Sequence, residues 1–145
     1  MKKLNFINMK KIIFILSMLL LHSVFLTAQP NYKVVFDLTS KDTNDHKMAI
    51  RWVNEVLKAE PTAQVEVVFF GQSLDMITKN KSVVADAITK ISANKNASFK
   101  VCRVAMKAHN IEMDQLVAGV QTVPDGIYEI ISKQRDGWGY IKVSH

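Results

Sequence analysis

Cys102 is the residue whose type and position are best suited to chemistry. It is the only cysteine of the 145 residues, and it lies between an apolar stretch, 98–102, that predicts a strand and a short helical pattern. Amide groups at a helix N-terminus favour the thiolate, which is the nucleophilic form of cysteine. Arg103 adjoins Cys102 and Lys107 lies one helical turn further on. We predict a nucleophilic site at Cys102 that these two cations support electrostatically.

Cys102 also has a structural interpretation, because free cysteine is among the most buried residue types. One cysteine excludes an intramolecular disulfide. A peroxidase or disulfide oxidoreductase more often has a second, resolving cysteine. In an oxidising compartment, a lone thiol is buried, paired with another molecule or kept reactive.

The remaining polar candidates have ordinary structural explanations. His46, His109 and His145 are scattered, and no paired-cysteine or HExxH spacing predicts a metal site. Asp42, Asp45 and His46 form either an acid/base cluster or, as we prefer, a polar loop that caps a helix. The glycine pair in 137–139 lacks the third glycine of a dinucleotide site. We therefore expect neither a metal nor a cofactor.

The N-terminal segment predicts a secretory signal peptide over 1–28. Four lysines precede an apolar stretch at 12–26, and small residues follow at 27–28. An uncleaved anchor is the alternative, although the stretch is short against the ~20 residues that a span needs. The segment holds four of the 19 Lys+Arg and none of the 13 Asp+Glu, so the mature chain carries about +2. We expect an exported, periplasmic protein with no membrane span after cleavage and no nucleic-acid partner.

Strand and helix patterns alternate through 29–145, which we expect to form one domain. Apolar stretches predict strands at 32–38, 65–70, 98–102, 120–123 and 138–143. Helical spacing predicts helices at 48–57, 83–91, 104–111 and 124–134, the first capped by Asn44 or Asp45. This order favours an α/β fold: an open, mainly parallel five-stranded sheet with helices on both faces.

Several segments together resemble one protein family. The stretch 99–111 places a cysteine between an apolar strand and a short, Ala-containing helix with basic residues. The stretch 67–72 looks like a second strand with its glycine turn, and 120–141 looks like a C-terminal helix and strand. This combination resembles the DsrE/TusD/YchN-like family of sulfur-relay and related proteins.

The resemblance implies a small α/β subunit that assembles into homotrimers or homohexamers. It also implies that Cys102 accepts a sulfane sulfur as a persulfide and passes it to the cysteine of a partner protein. We therefore expect an exported DsrE-like protein that handles sulfane sulfur or thiols through Cys102, as a sulfur carrier or a sulfurtransferase-like protein. One alternative is a non-catalytic oligomeric module that binds a small ligand, and another is a thiol-based redox sensor.

Overall fold

The computed structural model describes residues 32–144, which form five strands and four α-helices. The strands are β1 Lys33–Leu38, β2 Gln64–Phe69, β3 Ala97–Cys102, β4 Val120–Val123 and β5 Gly139–Val143. The helices are α1 Thr43–Ala59, α2 Ala85–Ser92, α3 Arg103–Ala108 and α4 Gly126–Arg135. Short 3-10 helices lie at Ser73–Ile77 and Met113–Gln115. The predicted signal peptide at 1–28 lies outside the described residues.

The strands form one sheet in the order β4-β3-β2-β1-β5, and every pairing is parallel. The first three connections step from β1 towards β4, and the last one returns across the sheet to β5. Because such crossovers are right-handed, α1, α2 and α3 cover one face, and α4 covers the other. The predicted five-stranded α/β fold is confirmed, and its sheet is wholly parallel within the described residues.

The main core lies on the face covered by α1, α2 and α3. Alternate residues of the central strands point into it, among them Phe36, Phe69 and Phe99, and all three rings are fully buried. The rings of Phe69 and Phe99 stack with their centroids 6.2 Å apart. The face under α4 has a small apolar cluster of Val35, Val68 and Ile130.

Two helix ends differ from the sequence expectation. Asp42 caps α1, because its Oδ1 accepts a hydrogen bond of 2.7 Å from the Asn44 N–H. The preferred capping role of the polar loop is therefore confirmed at Asp42, whereas the cap is neither Asn44 nor Asp45. Helix α3 ends at Ala108, short of residue 111, and Asn110 turns the chain with a φ of 52°. No helix within 32–144 has the length and apolar character to cross a bilayer.

Candidate functional site

Cys102 lies where β3 ends and α3 begins. It is the last residue of β3 and the N-cap position of α3, with an extended backbone and no capping hydrogen bond from its side chain. The residue is only 5% exposed. In parallel α/β sheets, ligands bind beyond the carboxyl ends of the strands, where loops and helix starts converge. Cys102 occupies such an end.

The first residue of α4, Gly126, packs directly on Cys102. A methyl group built on Gly126 would lie 3.1 Å from the Cys102 Cβ and 3.3 Å from side-chain atoms of both Phe70 and Val68. The strands β3 and β4 are neighbours, so the residues that follow β4 reach the end of β3. Asp125 caps α4 by accepting a 2.8 Å hydrogen bond from the Tyr128 N–H. The close fit therefore depends on glycine at position 126.

A cavity of ≈ 280 Å³ opens beside Cys102. Its apolar walls come from the loop after β2, from α3 and from α4, and include Phe70, Val104, Ala105, Ala108 and Ile127. Its polar lining consists of Gln72, His109 and Asp125. Cys102 and Ala105 are buried and belong to the main apolar core, whereas Gln72 and His109 are exposed. Cys102 therefore borders the cavity on its inner side.

Arg103 and Lys107 line a different depression. Both are exposed and border a groove of ≈ 350 Å³ together with Met106, Asn110 and Glu112. Ala105 and Ala108, on another side of α3, border the Cys102 cavity instead. The supporting role of Arg103 and Lys107 at the thiol stays a prediction.

The sequence analysis did not place Gln72, His109, Asp125 or Gly126 beside Cys102. One signal for His109 was present, since 102, 105 and 109 are spaced as one face of a helix. A second signal was the turn at 124–126, which directly follows a predicted strand. Neither signal tells which strands are neighbours. The pairing of β3 with β4 is what brings the turn at 124–126 to Cys102.

A buried carboxylate, Glu66, lies beneath α4, on the face of the sheet that this helix covers. It is 2% exposed, and its Oε2 accepts hydrogen bonds from Ser98 Oγ at 2.9 Å and Lys133 Nζ at 3.0 Å. Burial raises the pKa of Glu66 above its ordinary value of 4.5, and the ammonium group of Lys133 opposes the rise. Lys133 also lies 4.4 Å from the centroid of the Trp138 ring.

A second polar group joins β1 to the edge strand β5. Asp37 is 5% exposed, and its Oδ2 accepts hydrogen bonds from Tyr140 OH at 2.6 Å and Lys142 Nζ at 3.2 Å. The hydrogen bond to this carboxylate, with burial, raises the pKa of Tyr140 to about 12. This group ties the edge strand to the sheet.

The other histidine and acidic candidates do not join Cys102. His46 and Asp45 are buried in the first turn of α1, where His46 Nε2 lies 3.0 Å from the Ser40 carbonyl oxygen. His145 lies outside the described residues. Within 32–144, no three His, Cys, Asp or Glu residues come together in a way that could hold a metal ion.

Comparison with known proteins gives one family match and several structural ones. Residues 33–143 match the model of the DsrE/DsrF-like family. The chain is similar to a protein of unknown function from Methanobacterium thermoautotrophicum, MTH1491, with 23% identity and a TM-score of 0.72 over 77% of this chain and 99% of that one. No curated protein matches the sequence.

Two further solved structures share the fold. The ychN protein from E. coli is 10% identical, with a TM-score of 0.64 over 77% of this chain and 98% of that one. A conserved protein of unknown function from Bacteroides thetaiotaomicron, BT1422, is 11% identical, with a TM-score of 0.56 over 77% of this chain and 94% of that one. At these identities, the similarity shows the fold alone.

Proposed function

The chain belongs to the DsrE/DsrF-like family, whose general function is associated with sulfur relay, and from this premise we propose that it accepts and passes on sulfane sulfur through Cys102. The observation that carries the proposal is the position of Cys102, which ends β3 and borders a cavity there. A buried thiol that borders an open cavity is shielded from bulk solvent and accessible to a small reactant. This environment of Cys102 supports a role as a carrier of sulfane sulfur more than a purely structural role.

The chemistry needs one cysteine in each subunit. The Cys102 thiolate attacks the outer sulfur of a persulfide R–S–SH, a new S–S bond forms, and the old S–S bond breaks. The electron pair of the broken bond leaves with R–S⁻, and Cys102 holds the persulfide. A partner cysteine then takes the sulfur by the same exchange, so no external oxidant or reductant is consumed.

Intact mass spectrometry tests the proposal. The mature protein is incubated with inorganic polysulfide, and its mass is measured before and after reductant. We expect a reductant-labile gain of one or more sulfur atoms, and the Cys102→Ser variant should show none. Failure to gain sulfur, with a native thiol that also resists iodoacetamide while the unfolded protein reacts, would make Cys102 structural.

The proposed help from Arg103 and Lys107 has its own test. If these cations stabilise the thiolate, Arg103→Gln and Lys107→Gln should each slow alkylation of Cys102 at neutral pH. Lys58→Gln is a matched control, because Lys58 lines a groove between α1 and α2, outside the Cys102 cavity. Alkylation rates equal to that control would remove Arg103 and Lys107 from the site.

The proposal includes a homotrimer or homohexamer. Ile127, Tyr128 and Ile131 form one exposed apolar side of α4, and the exposed Val104 of α3 lines the Cys102 cavity with Ile127. Large apolar side chains grouped in this way are typical of protein interfaces. Sedimentation analysis of the mature protein should give a trimer or larger, and Ile131→Glu should dissociate it; a monomeric wild type would contradict this part.

Export forms the last part of the proposal. The sequence pattern at 1–28 supports a cleaved signal peptide and a mature protein that begins at Gln29. Fractionation of the producing bacterium, followed by mass analysis of the N-terminus, should find that start in the periplasm. Full-length chain in the membrane fraction would instead favour a retained anchor.

A non-catalytic binding module is the second candidate, and the same cavity favours it. A predominantly apolar cavity with a few polar groups is typical of small-molecule sites. If binding alone is the function, Cys102→Ser should retain both ligand affinity and assembly. Loss of sulfur acceptance without any loss of ligand binding would separate the two functions.

A further inference from the structure

We infer that the sulfur donor for Cys102 is an uncharged persulfide with a small apolar tail, R–S–SH, in which R is a short hydrocarbon group. The inference rests on the proposed function, because it names the substrate class of the same cysteine. It depends on the chemistry of the cavity wall beside Cys102, about which the family resemblance says nothing.

Apolar side chains make up most of the cavity lining. They come from the loop after β2, from α3 and from α4, and they are Phe70, Val104, Ala105, Ala108 and Ile127. Val104 and Ile127 are large apolar residues that are nevertheless exposed. An apolar tail inside the cavity removes such side chains from water, which is favourable in proportion to the apolar area that is buried.

The cavity has little to offer a charged tail. Among the described residues that line it there is no lysine or arginine, and Arg103 and Lys107 border a separate groove. The carboxylate in the lining, Asp125, already serves as the cap of α4, where its Oδ1 accepts a 2.8 Å hydrogen bond from the Tyr128 N–H. A charged group that gives up its hydration without gaining a partner is strongly disfavoured.

The size and position of the cavity fit a small donor. Its volume of ≈ 280 Å³ is close to the lower end of the roughly 300–1,000 Å³ range of small-molecule sites. Helix α3 follows β3 on one face of the sheet, and α4 follows the neighbouring β4 on the other face. Ligands of open α/β sheets bind in the crevice at such a switch point. Cys102 ends β3 at this crevice.

The transfer step balances without a further reactant. The Cys102 thiolate attacks the outer sulfur of R–S–SH, a new S–S bond forms, and the bond between the two donor sulfurs breaks. Cys102 keeps the transferred sulfur and its proton as –S–SH. The electron pair of the broken bond leaves with R–S⁻, which takes a proton from water when it leaves the cavity.

A series of alkyl persulfides tests the inference by the rate at which each one persulfidates Cys102 of the mature protein. The donors are made from ethanethiol, propanethiol and butanethiol. Each rate is divided by the rate of the same donor with a free thiol in solution, which removes differences in intrinsic reactivity. We expect this normalised rate to rise about fourfold with each added methylene, as burial of one methylene implies, until the tail fills the cavity.

Two pairs of donors with matched shapes test the effect of charge. Cysteamine persulfide has an ammonium group in place of the last methyl group of propyl persulfide. The persulfide of 3-mercaptopropionate has a carboxylate in place of the branched end of 3-methylbutyl persulfide. We expect each charged donor to have a normalised rate about tenfold below that of its uncharged counterpart. N-acetylcysteine amide persulfide, a polar mimic of a protein cysteine, should also react more slowly than the alkyl donors.

Two variants test whether the cavity wall is responsible. Val104→Asp places a carboxylate in the wall at an exposed position, so the advantage of propyl over cysteamine persulfide should fall about tenfold. Val83→Asp is the matched control, because Val83 is equally a large exposed residue but lies before α2, outside the cavity lining. Ala108→Leu fills part of the cavity without adding charge, and it should remove the advantage of butyl over ethyl persulfide.

The outcomes separate this inference from the proposed function. Equal normalised rates for all donors would overturn the inference and leave sulfur acceptance from inorganic polysulfide intact. A faster reaction with either charged donor, or with N-acetylcysteine amide persulfide, would overturn it in favour of a charged donor or a protein donor, respectively. Failure of every donor, including inorganic polysulfide at high concentration, would overturn the proposed function as well.

Discussion

The two faces of the five-stranded sheet differ in what covers them and in what they contain. Helices α1, α2 and α3 cover one face, where the three buried phenylalanines of the central strands lie in a continuous apolar core. Helix α4 alone covers the other face, which has a small apolar cluster and the buried carboxylates of Asp37 and Glu66. The Cys102 cavity opens where α4 begins.

This difference shows how one set of strands serves two purposes. Successive side chains of a strand point to opposite faces, so Phe99 enters the apolar core while its neighbours Ser98 and Lys100 point towards α4. The first face supplies stability through apolar burial. The second holds the buried carboxylates of Asp37 and Glu66, at some cost in buried polar groups. Substitutions on the two faces should therefore have different effects.

The largest effect is expected from Phe99→Ala on the apolar face. It removes a fully buried ring that stacks on Phe69, and it should lower the free energy of unfolding by about 3–5 kcal/mol. Urea denaturation measures the loss. Lys100→Ala, one residue along β3 and facing α4, should cost less than about 1 kcal/mol. Equal losses for the two variants would contradict the division between the faces.

The next effect is expected from Tyr140→Phe on the polar face. The substitution removes the 2.6 Å hydrogen bond to buried Asp37 and should cost about 1–3 kcal/mol. The folded-state pKa of Tyr140 is raised from 10 to about 12. The stability that the Tyr140 hydroxyl contributes is therefore present below pH 10 and is lost as the pH rises towards 12. Absorbance of tyrosinate should show that the variant lacks this late ionisation. Tyr128→Phe, on the outer side of α4, is the control, and both tyrosines are exposed.

A smaller effect is expected from Gly126→Ala at the start of α4. Its new methyl group would crowd the Cys102 Cβ at 3.1 Å, so we expect a loss of about 1 kcal/mol and slower alkylation of Cys102. Gly139→Ala is the control, because its methyl group would meet only the Lys33 carbonyl oxygen, at 3.5 Å. If Cys102 is alkylated at the same rate in Gly126→Ala as in the wild type, α4 shifts enough to accommodate the new methyl group.

The smallest change in the free energy of unfolding is expected from Glu66→Gln at acidic pH. There the carboxyl group is protonated, and glutamine resembles it closely. The folded-state pKa of Glu66 is raised, so its favourable contribution is present below pH 4.5 and is lost as the pH rises through the folded-state value. Glu66→Gln should gain stability relative to the wild type over that rise, as measured by urea denaturation at several pH values. If the unfolding free energies of the wild type and Glu66→Gln differ by the same amount at every pH, the raised pKa of Glu66 is contradicted.

Local patterns predicted much of the fold and part of the site. Alternation and helical spacing gave five strands, four helices and the place of Cys102 between β3 and α3, and the family resemblance is confirmed over 33–143. The polar loop before α1 caps that helix as expected, through Asp42 and not through Asn44 or Asp45, because several polar residues between β1 and α1 can cap a helix. Helix α3 was predicted too long, because nothing in the apolar spacing indicates the left-handed turn at Asn110.

The sequence by itself determined the elements, the single thiol and its place at the end of a strand, because these depend on neighbours within a few residues. Only the tertiary structure decided what surrounds that thiol. The order β4-β3-β2-β1-β5 brings Asp125 and Gly126 beside Cys102, and the turn of α3 places His109 at the cavity and Arg103 and Lys107 outside it. Strand order follows from packing of the whole chain, and no local repeat encodes it.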